Sequence, residues 1–368
     1  MMNTFKCSAS VLIASLLLPN AAVTADAAKN ASEKGMPTYY KGDYDSIITA
    51  STEAIRLNPK DAEAYCNRGW AYAGKGDLDK AIVDCNEAIR LNPKEALAHV
   101  VRGWIYEERG GEERAIADYN EGIRLDAKLA IAYYSRGRLY SMKSQHDKAI
   151  VDLTEFIRLQ PNYPDAFYAR GNAFIHQREY DKAIADLTES IRLYPKFSKA
   201  YGSRGSAHGQ KGEFDKAIAD FNEAIRLNPK NADAFGDRGA IQGKKGEFDK
   251  AIADLTEAIR LKPDFAVAYC DRGAIYGKKA EFVMAIADFN EAIRLDPKNA
   301  TAYKYRGIAY SANSEHAKAI ADFTEAIRLN PEDAITYYKR AYAHFKKGDK
   351  AKAEEDLAQA KKLGYKPP

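Results

Sequence analysis

Cysteine is scarce, four in 368 residues, too few for crosslinks to be the main source of stability. Histidine is scarce too, six in all. None belongs to a His-Glu-x-x-His or Cys-x-x-Cys pattern, so no metal ligand set is visible. No apolar run reaches the length that spans a membrane as a helix. An excess of one charge is also missing: 56 Lys and Arg face 52 Asp and Glu, a net +4. A chain that coats nucleic acid shows a basic excess or stripe. Gly202–Gly209 lacks the Lys-Ser/Thr of a phosphate loop and follows no strand. No segment is large enough for a separate catalytic domain, and no assembled site is visible. These absences argue against an enzyme, a metal or cofactor protein, and a nucleic-acid partner. What remains, 46% hydrophobic and 29% charged, is an ordinary globular composition.

Residues 1–25 differ from the rest. Lys6 is their only charge, and an apolar run from Cys7 to Leu18 follows. Small residues after Pro19-Asn20 fit cleavage near Ala25 or Ala27. The segment reads as an export signal, which places the mature chain in the periplasm or outside the cell. Residues 26–43 read as a linker, largely disordered.

The body is one unit written again and again. Ile-Arg-Leu stands at Ile55, Ile89, Ile123, Ile157, Ile191, Ile225, Ile259, Ile293 and Ile327, always 34 residues on. Nine units cover 62–95, 96–129, 130–163, 164–197, 198–231, 232–265, 266–299, 300–333 and 334–367, preceded by a half unit at 44–61. Tyr65, Gly69 and Tyr72 fall on one helical face, and Ala81, Cys85 and Ala88 on another. Gly74, Gly76 and Asp77 punctuate the turn between them, and Pro93 stops the second helix.

This pattern resembles the tetratricopeptide-repeat family over about five-sixths of the chain. Tyr65, Gly69, Tyr72, Ala81, Cys85, Ala88 and Pro93 match it in the first full unit, and Phe235, Gly239, Ala251, Leu255, Ala258 and Pro263 in the sixth. The resemblance implies an all-α fold, a right-handed solenoid of stacked antiparallel helix pairs. It also implies a concave groove that holds peptides or partner proteins.

One departure is systematic. The family usually has Leu before the Gly; here Arg68 and its eight successors to Arg340 stand there. Asp84 and its successors to Asp356 recur equally in the second helix. A partly buried Arg calls for a carboxylate partner, so a ladder of Arg–Asp pairs is expected. In the last unit two inward Ile positions become Glu354 and Lys361, a polar face of the kind that ends a solenoid.

The stripe that lines the family's groove varies between units and supplies the candidate ligand contacts: Trp70, Trp104, Tyr134, Arg138, Tyr168 and Asn172 early, Tyr338 and Tyr342 late. Gly202, Gly209, Gly236 and Gly243 lie between, giving two aromatic patches flanking a smooth trough. Aromatic anchors dominate many interfaces. The function expected is an exported, non-catalytic scaffold or adaptor for a peptide or protein. An extended polysaccharide ligand or a passive spacer are the alternatives. Cys66 and Cys85 lie at similar height in one unit and are candidates for a disulfide.

Overall fold

In every repeat, one position forces the chain to reverse. Gly76 takes the left-handed conformation (φ +86°), as do Gly110, Gly212, Gly246 and Gly348 at the same place in their repeats. Four repeats put a side chain there: Ser144, Arg178, Ala280 and Ser314, with φ between 57° and 64°. A residue with a Cβ is strained in this region, glycine is not. The next helix begins immediately after the turn. In the first full repeat Asp77 caps it, accepting from the Lys80 amide at 3.3 Å. First helices are capped in the same way at Asp61, Asn231, Asn299 and Asp333.

The computed structural model describes residues 44–366, and within them it is helical throughout, with no strand. The helices are α1 (Tyr44–Leu57), α2 (Ala62–Lys75), α3 (Leu78–Leu91), α4 (Ala96–Glu108), α5 (Glu112–Leu125), α6 (Ala130–Met142), α7 (His146–Leu159), α8 (Pro164–His176), α9 (Tyr180–Leu193) and α10 (Ser198–Gln210). They continue as α11 (Phe214–Leu227), α12 (Ala232–Lys245), α13 (Phe248–Leu261), α14 (Ala266–Lys278), α15 (Phe282–Leu295), α16 (Ala300–Ala312), α17 (His316–Leu329), α18 (Ala334–Lys347) and α19 (Lys350–Lys362). The chain divides between Ala207 and His208 into two bodies. Within each, every even-numbered helix packs on the odd-numbered helix that follows, and each such pair packs on the next. The export signal and linker expected in residues 1–43 lie outside the described residues.

Second helices bury one narrow stripe. In α3 it is Ala81, Asp84, Cys85 and Ala88; in α13 it is Ala251, Asp254, Leu255 and Ala258. Glycine on the facing first helix makes this approach possible. A Cβ on Gly69 would lie 3.0 Å from Cys85 Sγ and 3.1 Å from the Ala81 carbonyl oxygen. The space under these glycines is filled by the Cys85 position of the stripe, which is Leu in four other repeats and a fully buried ring in the rest, Tyr119, Phe221, Phe289 or Phe323. Each such ring contributes about 2–3 kcal/mol of apolar burial.

The arginine ladder is present and reaches further than the sequence pattern suggested. Arg68, Arg102, Arg136, Arg170, Arg238, Arg272, Arg306 and Arg340 each donate from Nε and Nη2 to both oxygens of the Asp 16 residues on, at 2.7–2.9 Å. The third nitrogen, Nη1, reaches back to the second helix of the preceding repeat. There it finds Thr52, Asn86, Asn120, Thr154, Asn222, Thr256, Asn290 or Thr324, at 2.5–3.3 Å. Arg204 makes the same backward bond to Thr188 at 3.0 Å. The planar fork suits a carboxylate, and its remaining donors tie one repeat to the next. The last repeat, which no further Arg follows, has Ala358 at the Thr/Asn position.

Candidate binding surfaces

The residues proposed from sequence as ligand contacts separate into two groups. Trp70 (1% exposed), Trp104 (5%), Tyr134 (1%) and Arg138 (8%) are buried. Their stripe faces the neighbouring first helices, so large side chains on it become core. Trp70 meets Tyr44 edge-on with ring centroids 5.4 Å apart. Tyr134 packs between Phe156 and Tyr163, at 5.0 and 5.5 Å. Arg138 forms a buried ion pair with Glu107, which also accepts from the Tyr119 hydroxyl at 3.0 Å. Tyr168 is half-buried against Phe197, and Asn172 donates back to the Tyr168 carbonyl at 2.9 Å. These six positions belong to the packing of the first body, and none presents an open aromatic face.

The small residues between the patches have a packing cause as well. A Cβ on Gly209 would lie 2.8 Å from Ile241 Cδ1, and one on Gly243 would lie 3.0 Å from Ile275 Cδ1. A Cβ on Gly236 would lie 3.0 Å from the Phe265 ring. Side chains of the following repeat fill the places beside Gly209 and Gly243, and Phe265, the last residue of the same repeat, fills that beside Gly236. Of the glycines on this stripe, Gly202 and Gly277 leave open space.

An exposed apolar face does exist, near the end of the second body. Among the described residues the exposed aromatics are Tyr305, Tyr342 and Phe345, the last 58% exposed. All three stand on the first helices α16 and α18. Ile335 on α18 and Val267 on α14 are exposed alongside. Ile335, Tyr338, Tyr342 and Phe345 fall at i, i+3, i+7 and i+10, one face of α18. Tyr338 stacks on Tyr365 at 4.5 Å. Lysines frame the rings: Lys304 lies over Tyr305, Lys339 over Tyr338 and Lys346 over Tyr342, at 5.4–5.8 Å. Lys304 also holds Asp333 at 3.0 Å. Sequence reasoning named Tyr338 and Tyr342 here but missed Tyr305, Ile335 and Val267. The signal for Val267 and Tyr305 was an apolar side chain on a first helix with a polar residue, Thr301 or Lys339, at the same place in the next repeat.

At the start of the first body, α1 and α2 border an open pocket of about 480 Å³. Ile47, Ala50 and Ser51 line it from α1, Asn67 and Trp70 from α2, and Asp61 and Glu63 line it too. Asn67 Oδ1 and the Trp70 indole N–H have no hydrogen-bond partner among the described residues.

Titratable chemistry is sparse. Cys66, Cys85 and Cys270 are buried and free, and burial pushes all three thiols up. Among the described residues no cluster of three His, Cys, Asp or Glu is placed to hold a metal, and no helix is long and apolar enough to cross a membrane. On α14, burial and the charge of Asp237 push the Asp271 carboxyl up to about 6, with Lys244 opposing.

Comparison with known proteins agrees with this architecture. Tetratricopeptide-repeat family profiles match residues 62–95, 130–163, 164–197, 198–231, 266–299, 300–333 and 334–363, and related repeat profiles match 221–253 and 244–279. No curated protein sequence matches the chain. Among solved structures, a tetratricopeptide repeat protein from Parabacteroides merdae is similar at 21% identity, with 73% of this chain and 98% of that one covered and a TM-score of 0.52. The Cut9–Hcn1 tetramer of the APC/C is similar at 14% identity, covering 88% and 91%, with a TM-score of 0.51. YrrB, a TPR protein described as having an unusual peptide-binding site, shares 26% identity over 53% of this chain and 97% of its own, with a TM-score of 0.46. The helix pairs, the 34-residue register and the matched profiles agree: the chain belongs to the tetratricopeptide-repeat family, whose fold is an interaction scaffold.

Proposed function

We propose that this chain is an exported, non-catalytic scaffold that holds an extended segment of a partner protein on the first-helix face of its last three repeats. Tyr342 and Phe345 are the anchors, with Ile335, Tyr305 and Val267 beside them. The observation that carries the reading is the concentration of every exposed aromatic of the described residues on that one face. Contiguous exposed apolar surface on a folded chain marks an interaction site. Lys339 and Lys346 beside the rings favour a segment with carboxylates as well as apolar side chains. The apolar run of residues 7–18 supports export.

The test is site-specific photocrosslinking in cells, with the reactive residue at Tyr342 and, in a second strain, at buried Trp104. A discrete protein adduct at Tyr342 that is lost in Phe345→Ser supports the reading. Crosslinks to glycan, or none at either position despite correct folding, overturn it in favour of a saccharide ligand or a spacer.

A further inference from the structure

Duplication accounts for most of the first-helix surface, and one line of residues departs from it. The line crosses the first helices of the second body at one place per repeat, each 34 residues on: Asp237 on α12, Asp271 on α14, Tyr305 on α16 and Lys339 on α18. In the five preceding repeats, from Asn67 to Ser203, the same place is never charged. The line runs through the exposed apolar face. Val267 stands one turn before Asp271 and Ile335 one turn before Lys339, each on the same side of its helix. Both are exposed, as is Tyr305. The face thus has two acids at one end, apolar side chains along it and a lysine at the other end.

The charges at the two ends differ from those between them. Lys304, in the middle, is already held by Asp333 at 3.0 Å. Asp271 makes no hydrogen bond or ion pair among the described residues. Asp237 lies near enough for its charge to push the Asp271 carboxyl up, and Lys244 opposes this without reaching ion-pair distance. A cation set against these carboxylates would relieve their repulsion. At the far end Lys339 lies over the Tyr338 ring at 5.8 Å, and it too forms no ion pair among the described residues. It can take a carboxylate without breaking an existing contact.

We propose that the partner segment held on this face carries a Lys or Arg about six residues from an Asp or Glu, with apolar side chains between, and that it lies with its cation against Asp237 and Asp271 and its carboxylate against Lys339. This rests on the reading that the face holds a partner segment, and adds which segment and in which direction. The spacing follows from the helices. Packed helices lie about 10 Å apart, so the two steps from α14 to α18 span about 20 Å. An extended chain advances about 3.3 Å per residue and covers that span in about six. A reversed segment would set like charges together at both ends, which disfavours it by more than the loss of either contact. The apolar anchors supply affinity, and the charges set register and direction.

A phage library of random peptides, selected on the full chain and on its Phe345→Ser variant, tests the proposal. Clones captured by the first and not by the second should share the basic and acidic residues at that spacing. The strongest clone is then made as a synthetic peptide and its binding followed by fluorescence anisotropy. Replacing its basic residue by Gln should weaken binding to the unaltered chain about tenfold, and to Asp237→Asn with Asp271→Asn at most about twofold. Replacing its acidic residue by Gln should behave in the same way against Lys339→Gln. Each peptide change should keep its full effect on the other variant, which fixes the direction. Captured clones that lack the charge pair, or charges whose loss is felt equally by all three chains, overturn the proposal and leave the face standing as a binding site. Clones captured equally by Phe345→Ser, or none at all, overturn the reading of the face and this proposal with it.

Discussion

Removing one carboxylate from the arginine ladder should cost more than any surface substitution in this chain. Asp254 is the choice because its neighbourhood is fully seen: Arg238 donates to both its oxygens at 2.7 Å, and Nη1 of the same arginine donates to Asn222 at 2.6 Å. The Asp254 side chain is 11% exposed and that of Arg238 18%. Asp254→Ala removes two charge-assisted bonds and leaves a largely buried guanidinium with one partner. Breaking a buried pair costs about 3–5 kcal/mol, and the edge exposure of Arg238 lowers this to about 2–4 kcal/mol. Asn222→Ala loses one neutral acceptor, and should cost about 1 kcal/mol. The double replacement Arg238→Met with Asp254→Leu keeps the volume and buries no charge, so it should recover most of the loss, with a coupling of about 2 kcal/mol. Solenoids unfold repeat by repeat, so a single melting temperature for the whole chain would blur the effect. Native-state hydrogen exchange resolved to the amides of α12 and α13 is the suitable assay. A cost for Asp254→Ala below about 0.5 kcal/mol, typical of a surface site, or a coupling near zero, would refute the argument that the fork is structural.

Two further outcomes follow from local features. The folded-state pKa of Asp271, raised to about 6 from 3.8, means that its protonated form is the one the fold prefers. Its contribution is therefore full below about pH 4 and lost as pH rises through 6. Asp271→Asn should stabilise the second body by about 1–3 kcal/mol at pH 7 and by nothing at pH 4, as read from urea unfolding at the two values; an equal effect at both would remove the charge explanation. At the turn before α15, Ala280 holds φ +59°. Ala280→Gly should gain up to about 1 kcal/mol by relieving the left-handed strain, whereas the same change at a helical alanine costs about as much; thermal unfolding compares the two.

The repeat register, the helix pairs and the Arg–Asp pairs were legible because duplication repeats the signal nine times. The backward partner of each arginine was equally legible in principle. Thr or Asn stands two residues after the Asp in every repeat but the last, where it is Ala358. It escaped notice because neither residue announces a partner as a charge does. The burial of Trp70 and Trp104 was not legible. A stripe's angle on one helix says which way a side chain points, and not whether the neighbouring helix stands in its way. The same ambiguity hid the reason for Gly209 and Gly243, which are small because Ile241 and Ile275 of the next repeat need the room. The open face at Tyr342 and Phe345 was partly legible from composition, but its exposure depends on the absence of a covering side chain.

The arginine fork also makes the number of repeats a free variable. Eight junctions use the same three groups, an Arg and its Asp in one repeat and a Thr or Asn in the one before. A deletion of residues 232–265 would join Asn231 to Ala266 and present Asn222 to Arg272 in place of Thr256, with the same donor geometry. A duplication would create one more junction of identical chemistry. Lengthening or shortening by 34 residues at these junctions therefore needs no new interface, and the chain can change its reach in one genetic step.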